Sequence, residues 1–342
     1  MALLKKKIIK FKVNAWSLFW LALGLRLLFY ILFHHLQEIA YNSRWFAAEM
    51  SAIATSLTKG TGYASAIAEN YPTAHIEPLY PLIMALIFKI FGICTNLSGI
   101  IMTLINIFIS AATVSLLYIF SRKLFSEKVA QYTGLILCFW PNSLWRNFNL
   151  WSEVLAAFLF LLSLYLILLW QEKPTLKNSI SLGILLALCV LTTATLVPLL
   201  GLFMLAVLFF KNKYFKYWLV TIFIALIIFT PWPIRNYFVF HKFIPLRSTS
   251  AIELYSGNVR TLDGTTRNSS GHPFNFLAEN KQYQQYGEIK YNSLKSREFI
   301  TWLKINPQKF IKLTLWRIYW FWFGDPLKDY GLLKKLLHIL PT

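Results

Sequence analysis

The stretch LYPLIMALIFKIFGI, residues 79–93, decides how this chain sits in a bilayer. It is apolar, follows Pro78 and carries Lys89. A bilayer core about 30 Å thick needs roughly 20 helical residues per crossing, so this run suits a helix lying in, or dipping into, one leaflet. Basic residues collect on cytoplasmic loops, and that rule tests the choice. If the run does not cross, four basic groups share one side: Lys5, Lys6, Lys7, Lys10 and Lys12; Arg122, Lys123 and Lys128; Lys173 and Lys177; Lys211, Lys213 and Lys216. If it does cross, SRKLFSEK and every later basic loop move outside. The reading is therefore seven crossings, at 14–36, 97–120, 129–141, 150–170, 179–196, 197–210 and 217–233. Residues 37–96 then form one long external loop, and the chain after Pro233 starts outside.

Composition agrees with an all-α, polytopic membrane protein. Of 342 residues, 57% are hydrophobic, 17% aromatic and only 14% charged, more apolar than ordinary soluble domains. The basic run KKKIIKFK precedes an apolar segment too long for a signal peptide and without a small-residue cleavage site, so it reads as a retained anchor. A net charge of +20 would suggest nucleic acid in a soluble protein. Here cytoplasmic loops and anionic headgroups account for it, and no nucleic-acid partner is expected. Cys94, Cys138 and Cys189 stand apart with no CxxC pair, and read as small buried hydrophobes.

Three regions follow: a transmembrane core over 1–233, an external cap over 234–293, and a helical, membrane-interfacial segment over 294–342. In the last, Pro307 restarts the helix, WRIYWFWF is an interface-type aromatic cluster, and GLLKKLLHIL is amphipathic. There is no internal repeat, which weakens a secondary-transporter reading.

Acids stand out against this greasy background. Residues 43–59 read as a helix with Ser43 as N-cap, Gly60 as stop, and Phe46, Met50, Ile53 and Leu57 as an apolar stripe. Glu49 lies at the edge of that stripe. A partly desolvated carboxylate there would have a raised pKa and serve as a general base, or would merely mark the helix's wet edge. Glu77, in PTAHIEPLYP, is fixed by Pro72, Pro78 and Pro81, as a positioned catalytic or ligand-holding group must be. His75, two residues away, is a proton acceptor or a hydrogen-bonded surface residue. Glu153 opens a span at its external end, either complementing the helix dipole or orienting a substrate. Arg235 emerges after the last crossing and is a candidate phosphate ligand. Arg26 lies inside the first apolar run, where an unpaired charge costs about 2.5–3.5 kcal/mol, so it needs a partner: a phosphate, or headgroups reached by snorkelling.

The order IATSLTKGTGYAS, PTAHIEPLYPLIMALIFKIFG, TPWPIRNYFVFHKFIPLRSTSAIELYSGN resembles the GT-C class of membrane glycosyltransferases over roughly residues 10–325. More narrowly, it is similar to bacterial relatives of the protein O-mannosyltransferases and of the lipid A aminoarabinose transferase. The resemblance implies transfer of a sugar from a polyprenyl phosphate to an acceptor hydroxyl or amine on a lipid, glycan or protein. It places that reaction, with inversion, at the outer face of a bacterial inner membrane whose cytoplasmic side holds the N-terminus. It implies Glu49 as base, Glu77 as the second acid, Glu153 at a span's external end, and Arg235 on the phosphate. The chain departs from the pattern at Phe46, where relatives carry an aspartate, and at Pro78, where a basic residue often follows the second acid. It also stops soon after the aromatic cluster, where relatives continue. No ligand cluster for a metal is legible, and a divalent cation on a carboxylate pair stays a candidate only. Competing readings are a lipid or solute transporter and a non-catalytic membrane partner with a decayed site.

Overall fold

The computed structural model describes residues 13–41, 48–210, 214–261 and 271–323. Among these the chain is α-helical, apart from loops and one isolated bridge between Ala64 and Pro72. The basic N-terminal run, Ser43, Phe46, Lys211, Lys213 and the final amphipathic segment lie outside the described residues.

Every expected crossing has its helix. The first is α1 (Ala15–Tyr41); after the loop helices α2 (Ala48–Thr58) and α3 (Leu79–Phe91) come α4 (Asn96–Leu124) and α5 (Glu127–Phe139). A short α6 (Pro141–Trp145) leads to α7 (Glu153–Glu172), α8 (Leu176–Thr192), α9 (Val197–Phe210), α10 (Phe215–Phe229) and α11 (Pro231–Phe240). Four spans, Ala15–Phe33, Asn96–Leu124, Glu153–Glu172 and Phe215–Phe240, are long and apolar enough to cross a membrane. At 13, 17 and 14 residues, α5, α8 and α9 reach only about 20–26 Å, short of a full hydrocarbon core. As expected, α3 is also short, 13 residues with Lys89 in its last turn.

Local chemistry sets the helix ends. Thr95, Ser126 and Thr175 accept from the backbone N–H three residues on, capping α4, α5 and α8 at about 1 kcal/mol each. Helix α2 closes in a Schellman turn: Thr61 N–H donates to Ser56 O, and Gly60 N–H to Leu57 O. Close helix approach needs small residues. At Gly183 of α8 a Cβ would stand 2.6 Å from the carbonyl oxygen of Thr221 on α10, so the two helices meet backbone to backbone.

Among the described residues packing forms three clusters, the smallest being Ala68, Ile252, Tyr283 and Tyr291 between loop and cap. Leu18 and Ala22 of α1 meet Ala111, Val114 and Tyr118 of α4 and Ala130 and Cys138 of α5. The larger core joins the loop helices to the spans, with Met50, Ile53, Met84 and Phe88 against Met102, Leu155, Leu159, Leu182 and Leu186. Burying this much apolar side chain, at about 1.5–3 kcal/mol each for the large ones, fixes α2 and α3 as a shelf on the spans. Lys123 at the end of α4 reaches Glu172 at the end of α7, 2.8 Å away, so the second and third basic loops share one end of the molecule.

Helices α12 (Ser250–Asn258) and α13 (Leu277–Ile305) build the cap, and α14 (Pro307–Phe323) begins at Pro307 as expected. The cap is helical, and the boundary set at 293 falls inside α13. Gly287, at φ 71 and ψ 165, breaks α13 into two pieces, a backbone state that disfavours any residue with a Cβ. Among the cysteines, Cys138 and Cys189 are buried as expected, but Cys94 is exposed, because it lies in the turn between α3 and α4 with φ 52.

Candidate active site

Residues from the shelf, the spans and the cap converge on one cavity of about 470 Å³. Its lining includes Glu49, His75, Glu77, Glu153, Arg247 and His272. Glu153 opens the 20-residue α7, whereas the Lys123–Glu172 pair closes its other end, about 30 Å away. The cavity and the basic loops thus stand roughly a bilayer core apart.

The loop that carries His75 and Glu77 is held from every side. Tyr63 OH donates to Ile76 O at 2.9 Å, and Arg235 donates to Thr73 O and Tyr63 O, both at 2.7 Å. From the cap, Glu288 accepts from Thr73 Oγ1 at 2.6 Å, Ala74 N at 2.8 Å, Ser248 Oγ at 2.6 Å and Tyr283 OH at 2.7 Å. Glu288 sits just after the break at Gly287, so its charge also meets the positive end of the second helical piece. His75 is 2% exposed, buried and not a surface residue.

Glu49, in the first turn of α2, has Oε1 3.4 Å from His75 Nε2 and 4.0 Å from His272 Nε2. Burial alone would raise its pKa, which is what the sequence suggests. The charge of His75, its hydrogen bond, and the nearby His272 and Arg247 outweigh burial and hold the carboxyl below its ordinary range. That corrects the expectation of a raised pKa. Conversely, burial would lower His75, but Glu49, with Glu288 and Glu253 beyond it, raises it. Burial keeps His272 below its ordinary value. Glu49 and His75 thus shift each other toward their charged forms, while burial pushes His272 toward its neutral form.

Glu77 Oε1 accepts from Ala194 N at 2.6 Å, pinning the turn between α8 and α9, and lies 3.9 Å from Arg247 Nε. Glu153 is half-exposed on the rim, 4.0 Å from Arg146. The two arginines singled out in the sequence are engaged elsewhere. Arg235 spends its donors on backbone carbonyls and stacks among Tyr63, Trp232 and Phe240. Arg26, 1% exposed, finds its partners inside the protein: Ser110 Oγ and Ser143 Oγ at 2.7 Å and Ala22 O at 3.2 Å. Neither is among the residues that line the cavity.

The arginine that does line it is Arg247, 36% exposed, which sequence reasoning passed over. Its signal was present, since it stands within the same TPWPIRNYFVFHKFIPLRSTS stretch that drew attention to Arg235. His272, Glu253 and Glu288 were also missed. They are lone polar residues with no spacing pattern, brought in by the cap's fold.

Glu49, His75 and His272 each offer one ligand atom, all within 4.8 Å of one another, so a divalent cation has a candidate donor set of two imidazoles and a carboxylate. This grouping joins positions 49, 75 and 272, a separation no sequence motif displays.

Residues 72–234 match the family described as dolichyl-phosphate-mannose-protein mannosyltransferase. Neither the curated proteins nor the solved structures contain a match to the chain. The matched segment runs from the loop that carries His75 and Glu77, through the spans, to the start of α11. Over those residues the chain is similar to the protein mannosyltransferases, and its long apolar helices are those of a membrane protein.

Proposed function

We propose that the protein transfers a sugar from a polyprenyl-phosphate donor to an acceptor hydroxyl or amine in the Glu49 cavity, at the extracytoplasmic face of a bacterial inner membrane. The observation that carries this reading is a cavity set about one bilayer thickness from the basic loops, with the Glu49 carboxylate and Arg247 both in its lining. A donor whose tail stays in lipid would present its phosphosugar at that level.

In this reaction the acceptor oxygen or nitrogen attacks the anomeric carbon while Glu49 takes its proton. The bond from that carbon to the phosphate oxygen breaks, and the polyprenyl phosphate leaves with the electron pair. Attack opposite the leaving group inverts the anomeric centre. Arg247, not Arg235, is the cation for the departing phosphate, because it lines the cavity and Glu77 stands 3.9 Å from it. His75 fixes the orientation of Glu49 and keeps it ionised. With His75 neutral, Glu49, His75 and His272 would hold a divalent cation, which would supply positive charge to the phosphate in place of the Glu49–His75 ion pair.

Comparing glycolipids and glycoproteins by mass spectrometry, with and without the gene, tests this reading. A hexose or pentose adduct present only with the gene is expected. Identical profiles, together with labelled solute accumulating in sealed vesicles, would replace it with transport.

A further inference from the structure

Three buried polar atoms in residues of the cavity wall have no hydrogen-bond partner within the protein: His75 Nδ1, Thr249 Oγ1 and Ser256 Oγ. Thr249 is 2% exposed and Ser256 1%. Folded proteins leave few such groups unpaired, since each costs about 1–3 kcal/mol. Their concentration in residues of one wall leaves bonding capacity that a polar occupant can take up when the side chains turn toward the cavity.

Two of the three belong to a single helix face. Thr249 is the N-cap of α12, and Glu253 and Ser256 follow it by four and seven residues, which brings all three into one stripe. All three line the cavity. The rings of Trp151 and Phe274 belong to the same lining. A lining that combines buried hydroxyls with flat apolar rings matches a sugar, which has a rim of hydroxyls and apolar C–H faces.

We infer that the Thr249–Glu253–Ser256 face of α12 reads the hydroxyl pattern of a neutral monosaccharide held in the cavity. The inference rests on the proposed sugar transfer, and it assigns the choice of sugar to the cap. The same chemistry serves a sugar arriving on lipid phosphate or one belonging to an acceptor glycan. A site built to bond a substrate hydroxyl rejects the analogue that lacks it, because its own buried groups are then left unpaired. Ordered water on the same atoms is the competing account.

The test uses the full chain in lipid nanodiscs and saturation-transfer NMR. The probes are methyl α-D-mannopyranoside, chosen because the family description names mannose, and its four monodeoxy analogues. Wild type should bind at least one deoxy analogue about tenfold more weakly than the parent. Thr249→Val or Ser256→Ala should erase that discrimination while the melting temperature stays level or rises, since deleting an unpaired buried hydroxyl costs the fold nothing. Variants that keep the wild-type discrimination overturn the inference, and so do variants that melt earlier, because the hydroxyls then serve the fold or its water. Competition by polyprenyl-phosphate-mannose assigns the wall to the donor's sugar, and simultaneous binding assigns it to the acceptor's. A wild-type protein that transfers sugar but ignores the deoxy positions sinks this inference alone; one that binds none of the five glycosides and adds no sugar to any glycolipid or glycoprotein sinks the transfer reading with it.

Discussion

Replacing Glu288 with alanine should release the His75–Glu77 loop from the cap. The carboxylate accepts four hydrogen bonds, from Thr73, Ala74, Ser248 and Tyr283, and it is 4% exposed. Taken singly, each donor left unpaired would cost about 1–3 kcal/mol. The four share one acceptor and so do not add, and removing a buried charged partner costs about 3–5 kcal/mol in all. A local destabilisation near 4 kcal/mol corresponds to about a thousandfold in the opening equilibrium. Hydrogen exchange followed by mass spectrometry reads this directly, because the amide of Ala74 donates to Glu288 and the amide of Ser248 donates to Ala74 O at 2.9 Å. Peptides covering 70–78 and 244–250 should exchange about a thousandfold faster, with the membrane helices unchanged. Glu288→Gln keeps the volume but presents one oxygen and an NH2 to four donors, so an intermediate acceleration is expected. Exchange within tenfold of wild type in both peptides would refute the view that this carboxylate holds the site.

Arg247→Ala should lower sugar transfer by about a hundredfold, the usual cost of removing one donor to a developing anion, and Arg247→Lys should recover part of it. Arg235→Lys should instead loosen the 63–73 loop, read as faster amide exchange at Thr73, since its guanidinium binds carbonyls. Substituting Arg26 with Met leaves the hydroxyls of Ser110 and Ser143 without this partner and should lower the melting temperature by the equivalent of about 1–3 kcal/mol, with KM for the donor unaltered. In Gly183→Leu the new side chain meets Thr221 O at 2.6 Å, and accumulation of folded protein in membranes should fall. Cys94 is the exposed cysteine of the described residues, so a membrane-impermeant maleimide applied to intact spheroplasts should label the protein there. Labelling only after the membrane is opened would put the shelf in the cytosol.

Long-range features of the membrane fold were legible because lipid imposes them. Apolar run length located a helix at each expected crossing, four of them long and apolar enough to span a membrane, and marked 79–93 as a short helix. Pro78 and Pro307 marked helix starts because proline tolerates only the first turn. The site was half legible. Glu49, Glu77, Glu153 and His75 stand out as polar residues in an apolar chain, and all four line the cavity. The cations did not follow the same logic. A charge in a hydrophobic run announces that it needs a partner, but not which one: Arg26 found serine hydroxyls and Arg235 found carbonyls. Arg247, His272 and Glu288 come from a polar segment where charges are commonplace, and only the folding of α12 and α13 over the shelf gives them a role. The sign of the Glu49 shift was illegible for the same reason, since it depends on two histidines at positions 75 and 272.

One purified reaction tests the central claim most directly: transfer of labelled sugar from polyprenyl-phosphate-mannose by the wild-type protein and by Glu49→Gln in the same nanodiscs. The account predicts product from wild type and at least a hundredfold less from the variant, in the range expected for a lost general base, with donor binding retained. Equal turnover by the two proteins would contradict it.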